Sequence, residues 1–187
     1  QSAGANHDTL QKEIDSEKQV RSIAWPSVEV DFHGDLTKEM RSTANVLGYV
    51  EGSDSGLKQE LIVVGAHYDH LGLGDRNSLA PSQIGQIHHG ADDNASGTAG
   101  VLEIARLAAK NKQDRKRSLL FITFAGEELG LLGSANFVSH PTIPLQNVVG
   151  MINMDMIGRI TNGRLFVGGV GTSPSFKPWL EEFNQTV

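Results

Sequence analysis

Residues 60–69 read ELIVVGAHYD, an apolar run that ends in a histidine and an aspartate. Consecutive apolar residues predict a strand buried on both faces, as in parallel sheets. Two similar runs follow, SLLFITFAG at 118–126 and NVVGMINMDMIG at 147–158, and helical patterns at 98–110 and 129–140 precede them. The alternation predicts an α/β fold with a mostly parallel central β-sheet and helices on both faces.

The rest of the chain is predicted from shorter patterns. Strands are expected at 43–52 and at 164–169 (RLFVGG), and a last helix over 173–185. Residues 70–90 lack periodicity and form a long loop, a kind of segment that is often functional. The basic run KNKQDRKR at 110–117 is interpreted as a solvated loop between a helix and the next strand.

Residues 1–40 are predicted to be an N-terminal extension or linker, separate from the domain at 41–187. The polar pattern of DTLQKEIDSEKQV at 8–20 predicts a short helix capped by Asp8 or Thr9. The alternating pattern of SVEVDFHG at 27–34 predicts an edge strand.

Composition limits the class of function. The chain has 187 residues, a formal net charge of −6 and no cysteine. The acidic charge argues against nucleic acid as a partner, and the lack of cysteine excludes disulfides and thiolate metal ligands. No run reaches the ~18 apolar residues of a membrane span. No signal peptide is recognisable, so we expect that any leader was removed before Gln1.

Ligand-type side chains stand where the apolar runs stop, and beside the loop GADDNASG at 90–97. They are His67, Asp69, Asp93, Glu127, Glu128 and Asp155. The carboxyl ends of strands in an open α/β sheet line one crevice, so these residues are expected to meet there. One imidazole among several carboxylates suits a divalent metal, zinc above others.

Each of these signals also has a simpler structural explanation. Asp92 and Asp93 could cap a helix, and the two glutamates could open the next one. Asp155 is the hardest to explain in this way, because an unpaired carboxylate within an apolar strand is costly. Two adjacent glutamates at a strand exit point to opposite sides. Their mutual repulsion raises their pKa values, which suits a general base.

Four motifs taken together resemble one known family. HYDHLG (67–72), GADDNASG (90–97), GEELGLLGS (126–134) and NMDMIG (153–158), in this order, are similar to the co-catalytic dizinc aminopeptidases. This is zinc-peptidase family twenty-eight, with the bacterial leucyl aminopeptidases among its members. The resemblance runs from about Thr43 to Trp179 and implies the three-layer zinc-exopeptidase sandwich, C-terminally incomplete here.

The resemblance also implies a role for each residue. Two zinc ions are expected: His67 and Asp155 would bind the first, Glu128 the second, and Asp93 would bridge both. Asp69 would orient His67 and tune the zinc site without binding zinc itself, and Glu127 would be the general base. The implied substrates are peptides with a free N-terminus, and the implied location is secreted, periplasmic or cell-envelope.

One part of the family pattern is missing, since the second zinc normally has a histidine well after the NMDMIG motif. No histidine follows Asp155 in this sequence. We therefore expect a truncated catalytic domain with an incomplete second zinc site and little or no activity. His70, His88, His89 and His140 are conceivable substitutes, each more simply a loop residue. His88 and His89 are the best placed of the four, because they directly precede GADDN.

Two other functions remain open on the same residues. One is a single-zinc enzyme similar to a glutaminyl cyclase, against which the intact His67-x-Asp69 pair counts. The other is a non-catalytic binding domain on the same fold. The complete upstream set of ligand-type residues argues against that kind of decay.

Overall fold

The computed structural model describes residues 6–18, 22, 26, 29–37, 40–74, 78–111 and 115–186. The chain divides into two compact units, Gln1–Arg41 and Ser42–Val187. The division falls next to the predicted boundary between residues 40 and 41.

The first unit contains one helix, α1, His7–Glu17. The predicted caps Asp8 and Thr9 are wrong, because the side chain of Asn6 accepts a hydrogen bond from the Thr9 backbone N–H at 3.1 Å. The predicted edge strand is also wrong for residues 29–34, which are irregular and exposed; residues 27 and 28 lie outside the described part. Alternation alone does not make a strand without a paired neighbour.

The second unit is built on a four-stranded sheet of order β1-β3-β2-β4. Its strands are β1 Val46–Val50, β2 Leu61–His67, β3 Ser118–Phe124 and β4 Val148–Asn153. Strand β2 is parallel to both β3 and β4, and only β1 is antiparallel. The mostly parallel sheet is therefore confirmed, and the run 60–69 forms its central strand.

Helices cover both faces of this sheet, as predicted. They are α2 Gly97–Lys110 on one face and α3 Leu132–Ser139 on the other, and a further helix, α4, spans Phe176–Asn184. Successive residues of β2 point to opposite faces. Leu61 and Val63 pack in the cluster that includes Phe137 of α3, whereas Val64 and Ala66 pack with Val101 of α2. The sheet thus buries apolar side chains on both sides, which explains why its strands lack polar alternation.

Two further sequence predictions have definite outcomes. Residues 164–169 do not form the expected strand: Arg164 makes only an isolated bridge to Thr161, and Phe166 is 93% exposed. Among the described residues no neighbouring strand pairs with this segment. Within that same part of the chain, no helix is both long and apolar enough to cross a membrane.

Candidate metal centre

The predicted ligand-type residues lie at the carboxyl edge of the parallel strands. His67 is the last residue of β2, and in the ladder it stands opposite Phe124, the last residue of β3. Glu127 follows that strand end within a short turn. Asp155 lies just beyond the end of β4, and its side chain is 43% exposed. The expectation of a buried Asp155 inside a strand is therefore wrong, because the ladder stops at Asn153.

One cluster surrounds the buried imidazole of His67, whose side chain is 3% exposed. Its Nε2 lies 3.2 Å from Asp93 Oδ1, 3.6 Å from Asp155 Oδ1 and 3.8 Å from Glu127 Oε2. Three carboxylates from different loops therefore face one imidazole nitrogen.

A second cluster lies beside the first. His70 Nδ1 is 2.7 Å from Glu128 Oε1 and 4.0 Å from Asp93 Oδ2. Asp93 thus turns one carboxylate oxygen towards each cluster. The neighbouring glutamates likewise diverge, Glu127 towards His67 and Glu128 towards His70.

The orientation of His67 is set by Asp69, in a way that the sequence did not show. His67 Nδ1 lies 3.1 Å from the Asp69 main-chain oxygen and 3.7 Å from its carboxylate. A proton on Nδ1 is donated to that carbonyl, which leaves Nε2 free to act as a ligand. The Asp69 carboxylate instead accepts hydrogen bonds from the backbone N–H groups of Glu127 and Glu128, at 3.1 and 3.3 Å.

Two residues of the first cluster, Glu127 and His67, have shifted pKa values. Burial raises the pKa of Glu127, and the charges of Glu128 and Asp155 raise it further against the opposing effect of His67. For His67, burial lowers the pKa, but the surrounding carboxylates, led by Asp155 and Glu127, raise it overall. A carboxylate with a raised pKa accepts and returns a proton more readily near neutral pH, as a general base must.

The loop that carries Asp93 is fastened to the loop that carries Asp155. Asn94 donates to the Met154 carbonyl at 3.0 Å and accepts from the Met156 backbone N–H at 3.3 Å. Ser96 Oγ accepts from the Ile157 N–H at 3.1 Å.

Asp92 extends the same attachment, since its carboxylate accepts from the Gly158 N–H and from Arg159 Nε, each at 2.8 Å. The Arg159 hydrogen bond, although opposed by partial burial, keeps the pKa of Asp92 below its usual range. Alternate side chains of the 92–96 segment therefore bind the 154–159 segment, and Asp93 and Asp155 are held across the site.

Replacing Asn94 by Ala is expected to destabilise the metal-free protein by about 2–4 kcal/mol. Asn94 is 1% exposed and also accepts from the Gly97 N–H at 3.0 Å, so the substitution leaves several buried polar groups unpaired. Urea denaturation of the apoprotein measures the loss.

The matched control is Asn136→Ala, at an exposed position of α3, which should change the free energy of unfolding by less than about 0.5 kcal/mol. Equal effects of the two substitutions would contradict the attachment of the loops.

A cavity of about 170 Å³ opens beside the first cluster. Phe124, Leu131 and Met151 supply apolar wall, and Glu127 and Asp155 stand at its polar side. The site thus combines a group of ligand-type atoms with adjoining apolar space.

The donor set fits zinc. It consists of imidazole nitrogen and carboxylate oxygen, and ligand atoms 2.0–2.1 Å from a tetrahedral zinc are about 3.3 Å apart. The spacing of 3.2–3.8 Å around His67 Nε2 is close to that value. Among the described residues, two groups of three such side chains each place their ligand atoms within 4.8 Å of one another: His67, Glu127 and Asp155, and His70, Asp93 and Glu128.

All six residues singled out as catalytic or metal-binding lie together here. Asp92 does not face the clusters; it binds the neighbouring loop. Sequence reasoning missed Asn94, Ser96 and Thr98, whose hydroxyl donates to the His67 carbonyl at 2.9 Å. The alternation of polar residues in DDNASGT was the available signal, but it reads equally well as helix capping.

A mostly parallel α/β sheet with an imidazole–carboxylate cluster at its carboxyl edge defines a domain of the zinc-exopeptidase fold. Residues 45–187 match the family described as Peptidase family M28. The chain belongs to this family, as the four sequence motifs predicted.

Curated relatives agree with this assignment. A probable zinc metalloprotease of Phaeosphaeria nodorum is 32% identical over 164 residues, which cover 81% of this chain and 31% of that protein. A probable leucine aminopeptidase of Arthroderma otae is 36% identical over 124 residues, 64% of this chain and 30% of that protein. The chain spans about a third of the length of these relatives.

A solved structure supports the fold. A zinc-dependent exopeptidase from Parabacteroides distasonis superposes with a TM-score of 0.50 at 23% identity, over 61% of this chain and 41% of the other. At this level of identity the likeness concerns the arrangement of strands and helices.

Proposed function

We propose that this protein is a zinc-dependent aminopeptidase that removes the N-terminal residue of peptides. The observation that carries the proposal is Asp93, whose two carboxylate oxygens face His67 Nε2 at 3.2 Å and His70 Nδ1 at 4.0 Å. A carboxylate placed in this way between two groups of ligand-type atoms suits a site for two metal ions. The relatives named as zinc metalloprotease and leucine aminopeptidase support the same chemistry.

In this proposal His67, Asp93 and Asp155 hold the first zinc, and Asp93 and Glu128 hold the second. When bound, zinc supplies a Lewis acid for the scissile carbonyl and lowers the pKa of water. Asp69 fixes His67 through its main-chain carbonyl and fixes both glutamates through their backbone N–H groups. The protein's own part is thus to present ligand atoms that are already oriented.

Glu127 is the proposed proton carrier. Its Oε2 lies 3.8 Å from His67 Nε2, so it stands beside the first zinc position, and its pKa is raised by burial and by neighbouring carboxylates. A carboxylate with these properties takes a proton from water and returns it to the leaving amine.

The surroundings of the site fit a peptide with a free N-terminus. The family resemblance implies that the free α-amino group of the substrate is held near the metal positions. The apolar cavity walled by Phe124, Leu131 and Met151 is proposed to receive the side chain of the first residue. Bulky apolar first residues are therefore the proposed substrates.

Hydrolysis of a leucyl anilide and of its N-acetylated form tests the proposal. We expect zinc-dependent release from the free amine and at least about 100-fold less from the acetylated substrate, because acetylation removes the free amine that is proposed to be held near the metal positions. Removal of zinc by a chelator should abolish turnover, and added zinc should restore it. Equal cleavage of both substrates, or turnover that survives chelation, would contradict the proposal.

The proposed setting is secreted, periplasmic or cell-envelope, as the family resemblance implies. The lack of cysteine is compatible with that setting. Fractionation of the source cells, with the activity followed in each fraction, tests it; activity confined to the cytoplasm would overturn it.

A further inference from the structure

We propose that the protein has a second ligand site, separate from the metal centre, in which Arg115 binds the carboxylate of a small molecule with an apolar body. The site is an open pocket of about 280 Å³ between the carboxyl-terminal half of α2 and the start of β3. It is lined by Ile104, Leu107, Ala108, Asn111, Arg115 and Leu119.

The pocket lies at the opposite edge of the sheet from the metal centre. Strand β3 begins at Ser118, next to the pocket residue Leu119, and its seven residues end at Phe124, close to Glu127. Seven strand residues extend over roughly 20 Å, at about 3.3 Å each. The pocket is therefore distinct from the proposed zinc positions, and the proposed hydrolysis does not use it.

Arg115 belongs to the basic run at 110–117, which the sequence predicted to be a solvated loop. Lys116 is exposed, as that prediction requires, but Arg115 is half-buried. The Arg115 carbonyl accepts hydrogen bonds from the Ser53 backbone N–H at 2.7 Å and from the Ser53 hydroxyl at 2.9 Å. Its Nη1 donates to the Asn111 carbonyl, at the end of α2, at 2.7 Å. Both ends of the residue are held, so the guanidinium has a defined orientation.

Two other nitrogens of this guanidinium have no partner within the protein. Arg115 Nε and Nη2 are buried, and neither donates a hydrogen bond to any of the described residues. Leaving a buried charged donor unpaired is costly, and buried polar groups are nearly always hydrogen-bonded. These two N–H groups therefore favour an acceptor that comes from outside the chain.

The position of the unpaired atoms indicates what kind of acceptor fits. Nε and Nη2 form one edge of the planar guanidinium, and their N–H bonds point in the same direction. Arginine uses such a pair of parallel N–H groups to bind both oxygens of a carboxylate. Nη1 is already paired with the Asn111 carbonyl, so the edge that remains is the one that a carboxylate would occupy.

The helix end favours a single negative charge over a double one. The pocket adjoins the carboxyl-terminal end of α2, where the backbone carbonyls carry partial negative charge. That charge disfavours a dianion such as phosphate more than a monoanion. A carboxylate satisfies the arginine edge at the lower electrostatic cost.

The remaining wall of the pocket is apolar. Ile104 is 38% exposed and Leu107 is 46% exposed, and Leu119 continues the same surface. An apolar group bound beside Arg115 would cover these side chains, and burial of apolar surface favours binding. The ligand chemistry is thus a monocarboxylate with an apolar body. A free carboxylic acid and a peptide that ends in an apolar residue both have this chemistry.

Titration with hexanoate, followed by NMR shifts of the backbone amides, tests the proposal. We expect saturable binding to the wild-type protein, with shifts at residues 104–119. Hexanamide has nearly the same shape without the charge and should not bind. Acetyl-alanyl-leucine and its C-terminal amide are titrated in parallel. If the acetylated dipeptide binds more tightly than hexanoate, the natural ligand is a peptide C-terminus; if it binds less tightly, the ligand is a free acid.

Variants of the basic run assign the binding to Arg115. Arg115→Gln should weaken hexanoate binding roughly 10–100-fold, as expected for the loss of hydrogen bonds to a charged group. Arg115→Lys keeps the charge but lacks the planar fork, so it should not restore the affinity. Lys116→Gln removes the same charge from an exposed neighbouring position and is the control, which should bind like the wild type.

A variant of the apolar wall leaves the guanidinium intact. Leu107→Ser, at a position that is 46% exposed, should fold normally and weaken hexanoate binding at least about threefold. Equal binding of hexanoate and hexanamide, unchanged affinity in Arg115→Gln, or shifts confined to the residues around the zinc positions would overturn the proposal. So would the lack of saturable hexanoate binding to the wild type. None of these measurements depends on peptidase activity.

Discussion

Replacing Glu127 by Gln is expected to lower kcat about 10²–10⁴-fold while the zinc content stays unchanged. Gln has nearly the same size and keeps one oxygen towards the site, but it cannot accept a proton. Burial raises the pKa of Glu127, and the charges of Glu128 and Asp155 add to this against the opposing effect of His67. A raised pKa makes the carboxylate a better proton acceptor, which suits the proposed role. Turnover of a leucyl anilide and elemental analysis of zinc measure the two quantities.

The control for this substitution is Glu182→Gln, at an exposed position of α4, which should leave kcat unchanged. Unchanged turnover in Glu127→Gln would remove the residue from the mechanism. Loss of zinc together with activity would instead make Glu127 a ligand, a role for which its distance of 3.8 Å from His67 Nε2 also leaves room.

Replacing Asp93 by Ala is expected to release both zinc ions and to lower kcat/KM at least about 100-fold. Loss of a group that only hydrogen-bonds to a metal ligand costs about 10–100-fold in metal affinity or activity, and loss of a ligand itself should cost more. Asp93 is the carboxylate that faces His67 with one oxygen and His70 with the other. Its removal therefore takes a ligand from each position, whereas Asp155→Ala should weaken only the first.

Calorimetric zinc titration distinguishes these cases by the number of ions bound. Asp35→Ala, at an exposed position of the first unit, serves as the control and should bind as the wild type does. If Asp93→Ala still binds one zinc tightly, the two clusters are independent and Asp93 is not shared between them.

Much of the fold could be predicted because apolar runs report burial directly. Residues 61–66 carry no polar side chain, and in the structure they belong to β2, which has a neighbouring strand on each side. The same reasoning failed for 164–169, where an apolar segment has no pairing strand among the described residues. A sequence shows that a segment favours burial, but the partner that buries it lies elsewhere in the chain.

The predicted site residues were found by their position at strand ends, which is a property of the local sequence. The side chains that contact these residues were not predicted. The structure brings His70, from the loop at 70–90, within 2.7 Å of Glu128, a contact that the sequence did not show.

The sequence by itself determined the class of fold, the family and the six ligand-type residues, because hydrophobic runs and the motifs at their ends are local. Only the tertiary structure decided how these residues act on one another. It showed that Asp69 holds His67 by its carbonyl, that Asp93 faces both clusters and that Asn94 fastens two loops. The physical reason is that hydrogen bonds extend over about 3 Å, and the register of parallel strands determines which distant residues come that close.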